Sequence, residues 1–132
     1  MTPITAGESI LQAIDYILKT YPENYDKIGE LDKQLCDIQH EIEFTPLDIQ
    51  RGFRLAKKMQ DVRKERRALK DENELLKPLY DFLNQGSNQA FKNGFSNALQ
   101  RAKQREKALP ERTYGPRSEA FKQSCEAVTP CD

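Results

Sequence analysis

Apolar side chains recur at alternating intervals of three and four residues over most of the first 83 positions of the chain. This heptad spacing is typical of helices that pack through a narrow seam against one partner helix. It predicts one helix over residues 24–43 and a longer one over residues 46–83. Because only a short turn at residues 43–46 separates them, we expect an antiparallel, coiled-coil-like hairpin. The expected seam residues are Ile28, Leu31, Leu35, Ile38 and Ile42, followed by Leu55, Met59, Val62, Arg66, Leu69, Asn73, Leu76, Tyr80 and Leu83.

Prolines set the expected helix boundaries. We expect Pro22 to end a short N-terminal helix at residues 5–21, because the residue before a proline is disfavoured in the α region. Thr45 is the expected N-cap of the long helix and Pro46 its first residue, where the missing N–H needs no partner. Pro78 removes one backbone hydrogen bond, so the long helix should bend or divide there.

Beyond the hairpin the helical pattern weakens. Gln85-Gly86-Ser87-Asn88 predicts a break, and a C-terminal helix follows to about Leu109, interrupted at Gly94. The last 23 residues contain three prolines and few large apolar side chains, which indicates little structure of their own. We therefore expect an all-α chain, with one helical domain over residues 1–109 and a basic, proline-containing tail over residues 110–132.

The net charge of zero, from 21 basic and 21 acidic residues, conceals a strong separation along the chain. Residues 1–50 hold three lysines against ten acidic residues, and residues 51–70 hold nine basic residues against two acidic ones. An antiparallel hairpin lays the acidic block along the basic one, and flanking charges of this kind fix the pairing of coiled coils. The predicted pairs join Glu41 and Glu43 to Arg51, Asp37 to Arg54, Asp32 to Lys57 and Lys58, and Asp26 and Glu30 to Arg63 and Lys64.

Two groups of basic residues remain as candidate partner-binding sites. The helix of residues 24–43 should reach only to about residue 64 of its partner, which leaves the bases that follow without an acidic neighbour. Such clusters can grip phosphates or dock on an acidic protein surface. The alternative is a solvated helix face with internal pairs such as Arg67–Asp71 and Lys70–Glu74. The candidates are Arg63, Lys64, Arg66, Arg67 and Lys70 on the long helix, and Arg112, Tyr114 and Arg117 in the tail.

Part of the long seam also needs cover. The heptad continues from Arg66 to Leu83, past the expected end of the partner helix. The N-terminal helix, the C-terminal helix or a second copy of the chain can supply that cover. An antiparallel homodimer through the long helix is expected, since symmetric dimers are the commonest closed assembly. Polar seam residues such as Arg66 and Asn73 would fix its register.

The residues that carry enzymatic chemistry are sparse. His40 is the single histidine and falls on a helix surface, and no Gly-rich phosphate loop or two-His metal spacing occurs. Cys36, Cys125 and Cys131 form an odd set without metal-like spacing, which favours a reduced, cytoplasmic protein. No apolar run approaches the ~18–20 residues of a membrane span, and no secretory signal is expected. We therefore expect no enzyme, metal or cofactor.

Several charged-helix motifs in residues 35–120 form a recognisable set. They are Asp37-Ile38-Gln39-His40-Glu41-Ile42-Glu43, Gly52-Phe53-Arg54-Leu55, Arg63-Lys64-Glu65-Arg66-Arg67, Lys70-Asp71-Glu72 and Arg112-Thr113-Tyr114-Gly115-Pro116-Arg117. Together they resemble small helical proteins encoded by phages and prophages of Gram-positive bacteria. The resemblance implies an accessory protein that acts inside an infected bacterial cell, and it brings no site residues with it.

Three functions fit these observations. The leading hypothesis is a non-enzymatic phage accessory protein that binds a bacterial protein stoichiometrically and inhibits a host defence effector, as anti-CRISPR proteins inhibit CRISPR nucleases. In that case the acidic surface of residues 23–43 can also act as a nucleic-acid mimic. The alternative is a nucleic-acid-binding accessory protein in phage replication or packaging, and the third is a structural oligomerisation module.

Overall fold

The computed structural model describes residues 1–111, 113, 115 and 117–120. Three α-helices follow one another, α1 at Pro3–Phe44, α2 at Ile49–Leu83 and α3 at Phe91–Ala108, and a short 3₁₀ turn follows at Leu109–Glu111. Helices α1 and α2 pack against each other as an antiparallel hairpin, which confirms the predicted all-α hairpin fold. The contacts of the chain divide it into two units after Leu99.

The seam of α2 lies where the heptad spacing predicts it. All nine predicted seam residues of this helix are buried or half-buried, while most residues between them are exposed. The core of the hairpin consists of Leu31 and Ile38 from α1 and Leu55 and Val62 from α2, with Leu35, Met59 and Leu69 packed against them. Removal of this apolar surface from water is the main force that holds the two helices together.

The predicted break at Pro22 is wrong, because α1 continues through this residue as one helix of 42 residues. The proline removes one N–H and crowds the preceding turn, but α2 supplies contacts on both sides of it. The rings of Tyr21 and Tyr80 stack with centroids 4.6 Å apart, and Asn73 Nδ2 donates a hydrogen bond of 3.2 Å to the carbonyl oxygen of Tyr21. Tertiary packing therefore maintains a helix that the local sequence would end.

The inward face of α1 changes its spacing at the same place. Ile14, Leu18, Tyr21, Asn24 and Ile28 are buried or half-buried, so the intervals run four, three, three and four residues. Two successive steps of three residues are a local overwinding relative to the heptad. This step keeps the same face of α1 directed at α2 on both sides of the proline.

The linker between α1 and α2 is placed differently from the prediction. Thr45 caps the C-terminus of α1, and its N–H donates to the carbonyl oxygen of Glu41 at 3.2 Å. Asp48 is the N-cap of α2, and its carboxylate accepts a 2.7 Å hydrogen bond from the backbone N–H of Arg51. Pro46 therefore lies in the linker, because the Asp48 carboxylate provides the stronger cap. Pro78 remains inside α2, which continues to Leu83.

The N-terminal part of α3 runs antiparallel beside the first turns of α1. Lys92 forms an ion pair with Asp15, and Leu99 packs over Gly7. A Cβ atom at residue 7 would lie 2.8 Å from Leu99 Cδ1, so glycine permits this close approach. The predicted interruption at Gly94 does not occur, because α3 continues through it.

Candidate partner-binding surface

The five predicted residues of α2 form one continuous basic surface. We call Arg63, Lys64, Arg66, Arg67 and Lys70 the basic stripe. Each member lies three or four positions from another member, which makes them neighbours on the surface of a helix. Four of the five side chains are exposed, and Arg66 is half-buried at the edge of the seam. The predicted cluster is thus a surface feature of α2 and presents its charges to one side.

Arg66 differs from the rest of the basic stripe because α1 holds it. Its Nε lies 2.5 Å from Asp32 Oδ1, so the expectation that Arg66 lies beyond the reach of an acidic helix is wrong. Helix α1 ends at Phe44 and α2 begins at Ile49, which moves the pairing register away from the one that a turn at residues 43–46 implied. Arg66 therefore acts as a bridge between the helices.

Only part of the predicted charge pairing across the hairpin forms. The pair of Glu41 and Arg51 is confirmed, with 3.4 Å between Oε1 and Nη2. Lys57 instead pairs with Asp61 of its own helix, at 3.2 Å. Over residues 1–111, none of the other predicted pairs comes within ion-pair distance. The separation of charge along the sequence is therefore less cancelled by internal pairing than we expected.

The other four members of the basic stripe are not neutralised by an acidic side chain among the described residues. Within the part of the chain that the structure describes, Arg63, Lys64, Arg67 and Lys70 form no ion pair. The pairs Arg67–Asp71 and Lys70–Glu74, which a self-neutralised helix face would contain, are absent over the same residues. Four cations thus face solvent on a helix whose backbone is fixed by the hairpin.

The structure describes only one of the three candidate residues in the tail. Arg112 and Tyr114 lie outside the described residues, and Arg117 is exposed. Their predicted role in partner binding stays a prediction.

The N-terminal half of α1 covers the C-terminal half of the α2 seam. The sequence analysis had allowed the N-terminal helix, the C-terminal helix or a second copy of the chain in this place. The hydroxyl of Tyr16 donates a 2.9 Å hydrogen bond to Glu72 Oε1. This bond, and the negative charge of the same carboxylate, raise the pKa of Tyr16 above its ordinary value. Together with the stacked pair Tyr21 and Tyr80, the contact fastens the N-terminal half of α1 to α2. A second copy of the chain is therefore not needed to cover the seam.

The sequence reasoning missed an exposed apolar stripe on α2. Leu75, Leu79 and Phe82 are exposed, and their spacing of four and three residues makes them neighbours on the helix surface. The sequence contains this spacing, because each of the three residues directly precedes a seam residue, Leu76, Tyr80 or Leu83. The sequence analysis assigned the apolar residues of this region to the heptad seam alone. Three large apolar side chains in one row are a candidate contact surface.

A second missed feature joins Cys36 to His40, four residues apart on α1. Cys36 Sγ lies 3.8 Å from His40 Nε2, and both side chains are exposed. The His40 ring also tilts against Phe44, with centroids 6.1 Å apart. In the described part of the chain, no group of three or more His, Cys, Asp and Glu side chains gathers as a metal site would require.

Comparison of the chain with protein-family models, with curated proteins and with solved structures finds no match. Among the described residues, no helix has both the length and the apolar character that a membrane crossing requires. The surface of the hairpin is therefore the basis for inferring what the chain does.

Proposed function

We propose that the chain is a non-enzymatic binding protein that docks the basic stripe of α2 onto an acidic surface of a bacterial protein. The observation that carries this function is the group of four exposed cations, Arg63, Lys64, Arg67 and Lys70, without an internal acidic partner over the described residues. Charges left free on a rigid helix can attract an oppositely charged surface and steer its approach.

Rigidity supports the same proposal. The basic stripe begins next to the core residue Val62, and Arg66 is fastened to Asp32 of α1 in its middle. The free cations therefore keep their spacing before a partner arrives, and binding orders mainly their side chains. Arginine is well suited to this role, because its planar guanidinium can hold a carboxylate through two parallel hydrogen bonds.

The resemblance to phage-encoded proteins supports a host protein as the partner. A small helical protein can act by occupying a site on that partner in a one-to-one complex. Inhibition of a host defence effector, such as a CRISPR nuclease, is the form of this function that we propose. The bacterial cytoplasm is then the place where the chain acts.

Nucleic-acid binding is the second candidate, because the same four cations could contact phosphates. Each contacted phosphate releases condensed counterions, so the affinity would depend steeply on salt. Four contacts would reduce the affinity by roughly 100-fold between 50 and 200 mM salt. A mobility-shift titration with duplex and single-stranded DNA at these two concentrations tests this candidate, and no shift at the lower concentration excludes it.

Charge reversal in the basic stripe tests the leading function. We expect Arg63→Glu with Arg67→Glu to weaken binding of the bacterial partner by at least about tenfold, because two attractive contacts become repulsive. Affinity purification from bacterial lysate with mass spectrometry identifies the partner, and titration with the purified partner then gives the affinity.

Arg54→Glu with Lys58→Glu is the matched control for this double reversal. These two exposed cations lie on the same helix at the same spacing of four residues and outside the basic stripe. Equal loss of affinity in both double variants would show that only net charge matters. Recovery of no stable protein partner would contradict the proposed function.

We also propose an antiparallel homodimer, with the exposed apolar stripe of Leu75, Leu79 and Phe82 as its contact. Leu79→Glu should convert a dimer into a monomer, because it places a carboxylate in an apolar interface. Light scattering on the intact chain measures the mass of the particle. Leu47→Glu is the control, since Leu47 and Leu79 are 50% and 51% exposed. A monomeric unsubstituted chain would refute the dimer.

A further inference from the structure

A second row of residues at heptad spacing runs along α2 beside the buried seam. From its third member onward, each residue of this row directly follows a seam residue, so the row lies about 100° around the helix from the seam. All of its side chains are exposed. We call it the outer row, and its members are Ile49, Phe53, Ala56, Gln60, Arg63 and Arg67.

The spacing of the outer row indicates what kind of surface can cover it. Its members follow one another at intervals of four, three, four, three and four residues. That alternation is the spacing of a helix face that packs against one other helix. The row extends over about 27 Å of a helix that the hairpin holds in place. It therefore has the form of a seam for a further helix that approaches α2 from outside the hairpin.

The outer row is divided into an apolar end and a cationic end. Ile49 and Phe53 are 92% and 73% exposed, although both are large apolar side chains. The two members that follow them are uncharged. At the other end, Arg63 and Arg67 form no ion pair within the described residues. Because the two ends differ in chemistry, a covering helix must be apolar at one end and acidic at the other.

The apolar end supplies what a purely electrostatic contact lacks. Exposed cations steer the approach of an acidic surface, but exposed ion pairs contribute little to affinity. Most of the affinity of protein interfaces comes from a few large side chains that become buried, and aromatic residues are common among them. Phe53 and Ile49 are four residues apart, hence neighbours on the helix surface, and they lie in the same row as two arginines of the basic stripe.

We propose that the outer row binds a helix of the bacterial partner, with apolar residues against Ile49 and Phe53 and carboxylates against Arg63 and Arg67. This inference rests on the proposed function, because it uses two cations of the basic stripe, and it adds the chemical character of the partner surface. The arginines hold the carboxylates through paired hydrogen bonds. The reversed helix is rejected, since it would bring carboxylates against the apolar end.

Two synthetic helical peptides of about 21 residues, or three heptads, test this surface. The divided peptide has leucine at the seam positions of one half and glutamate at those of the other half. The alternating peptide has the same composition, but leucine and glutamate alternate along its seam. Fluorescence anisotropy of each labelled peptide, titrated with the full chain at physiological salt, gives the affinities. We expect the divided peptide to bind at least about tenfold more tightly than the alternating peptide.

Phe53→Ser should weaken binding of the divided peptide at least about tenfold, because it removes the aromatic anchor. Phe44→Ser is the matched control, since Phe44 is 74% exposed and belongs to α1, outside the outer row. Both side chains are largely exposed, so we expect both variants to keep the helix content of the unsubstituted chain by circular dichroism. The control should bind the divided peptide as the unsubstituted chain does.

Three results would overturn the inference. They are no binding of the divided peptide, equal affinity for the two peptides, and equal loss of affinity in the Phe53→Ser and Phe44→Ser variants. The purified bacterial partner separates this inference from the proposed function. If Arg63→Glu with Arg67→Glu weakens partner binding and Phe53→Ser does not, the proposed function stands and the inference fails. If neither variant weakens it, both fail.

Discussion

Replacement of Ile38 by Ala should lower the free energy of unfolding by about 2–5 kcal/mol. Ile38 is 2% exposed and belongs to the core shared by α1 and α2. The substitution removes three buried carbon atoms and leaves a space that two rigid helices cannot easily close. Only a narrow seam holds the hairpin together, so we expect one lost seam residue to have a large effect.

The matched control is Ile42→Ala, one turn further along the same helix. Ile42 is 38% exposed, so its removal transfers far less apolar surface to water, and we expect a loss below about 1 kcal/mol. Urea denaturation followed by circular dichroism gives both values. A loss at residue 42 as large as that at residue 38 would contradict the placement of the core.

Replacement of Pro22 by Ala should raise the free energy of unfolding, with an upper limit of about 3 kcal/mol. Pro22 lies in the interior of α1, where it has no N–H to donate to the carbonyl oxygen of Leu18. Alanine restores that hydrogen bond and removes the steric conflict with the preceding turn. Part of the gain is lost if the overwound step around Tyr21 and Asn24 relaxes and disturbs the seam.

Pro3→Ala is the control for this substitution. Pro3 occupies the first turn of the same helix, where proline is well tolerated, so its replacement should change the unfolding free energy little. Urea midpoints and helix content by circular dichroism measure both variants. Destabilisation by Pro22→Ala would show that the proline itself is required for the packing of α1 on α2.

The hairpin itself could be predicted from the sequence because its seam depends on local spacing. The heptad from Leu55 to Leu83 specifies which face of α2 is buried, whatever covers it. The break at Gly86 was equally local and equally predictable. The basic stripe followed from the same helical geometry, since residues three and four positions apart must be neighbours.

The register in which α1 pairs with α2 could not be predicted from local spacing. The predicted register followed from a turn at residues 43–46, and the actual helix ends at Phe44 and Ile49 change it. That change brings Arg66 to Asp32 and leaves Lys57 with Asp61. Exposed ion pairs contribute too little free energy to set a register, so they follow the packing of the apolar seam.

The sequence by itself determined an all-α chain, the buried face of its longest helix and a cluster of bases on that helix, because each depends on the periodicity of a single helix. Only the tertiary structure decided that α1 continues through Pro22, that Arg66 is paired and that the side-chain oxygen of Asn73 is buried without a hydrogen-bond partner. These features arise where two helices meet. Their free energies depend on contacts between residues about 30 to 50 positions apart, which no local pattern contains.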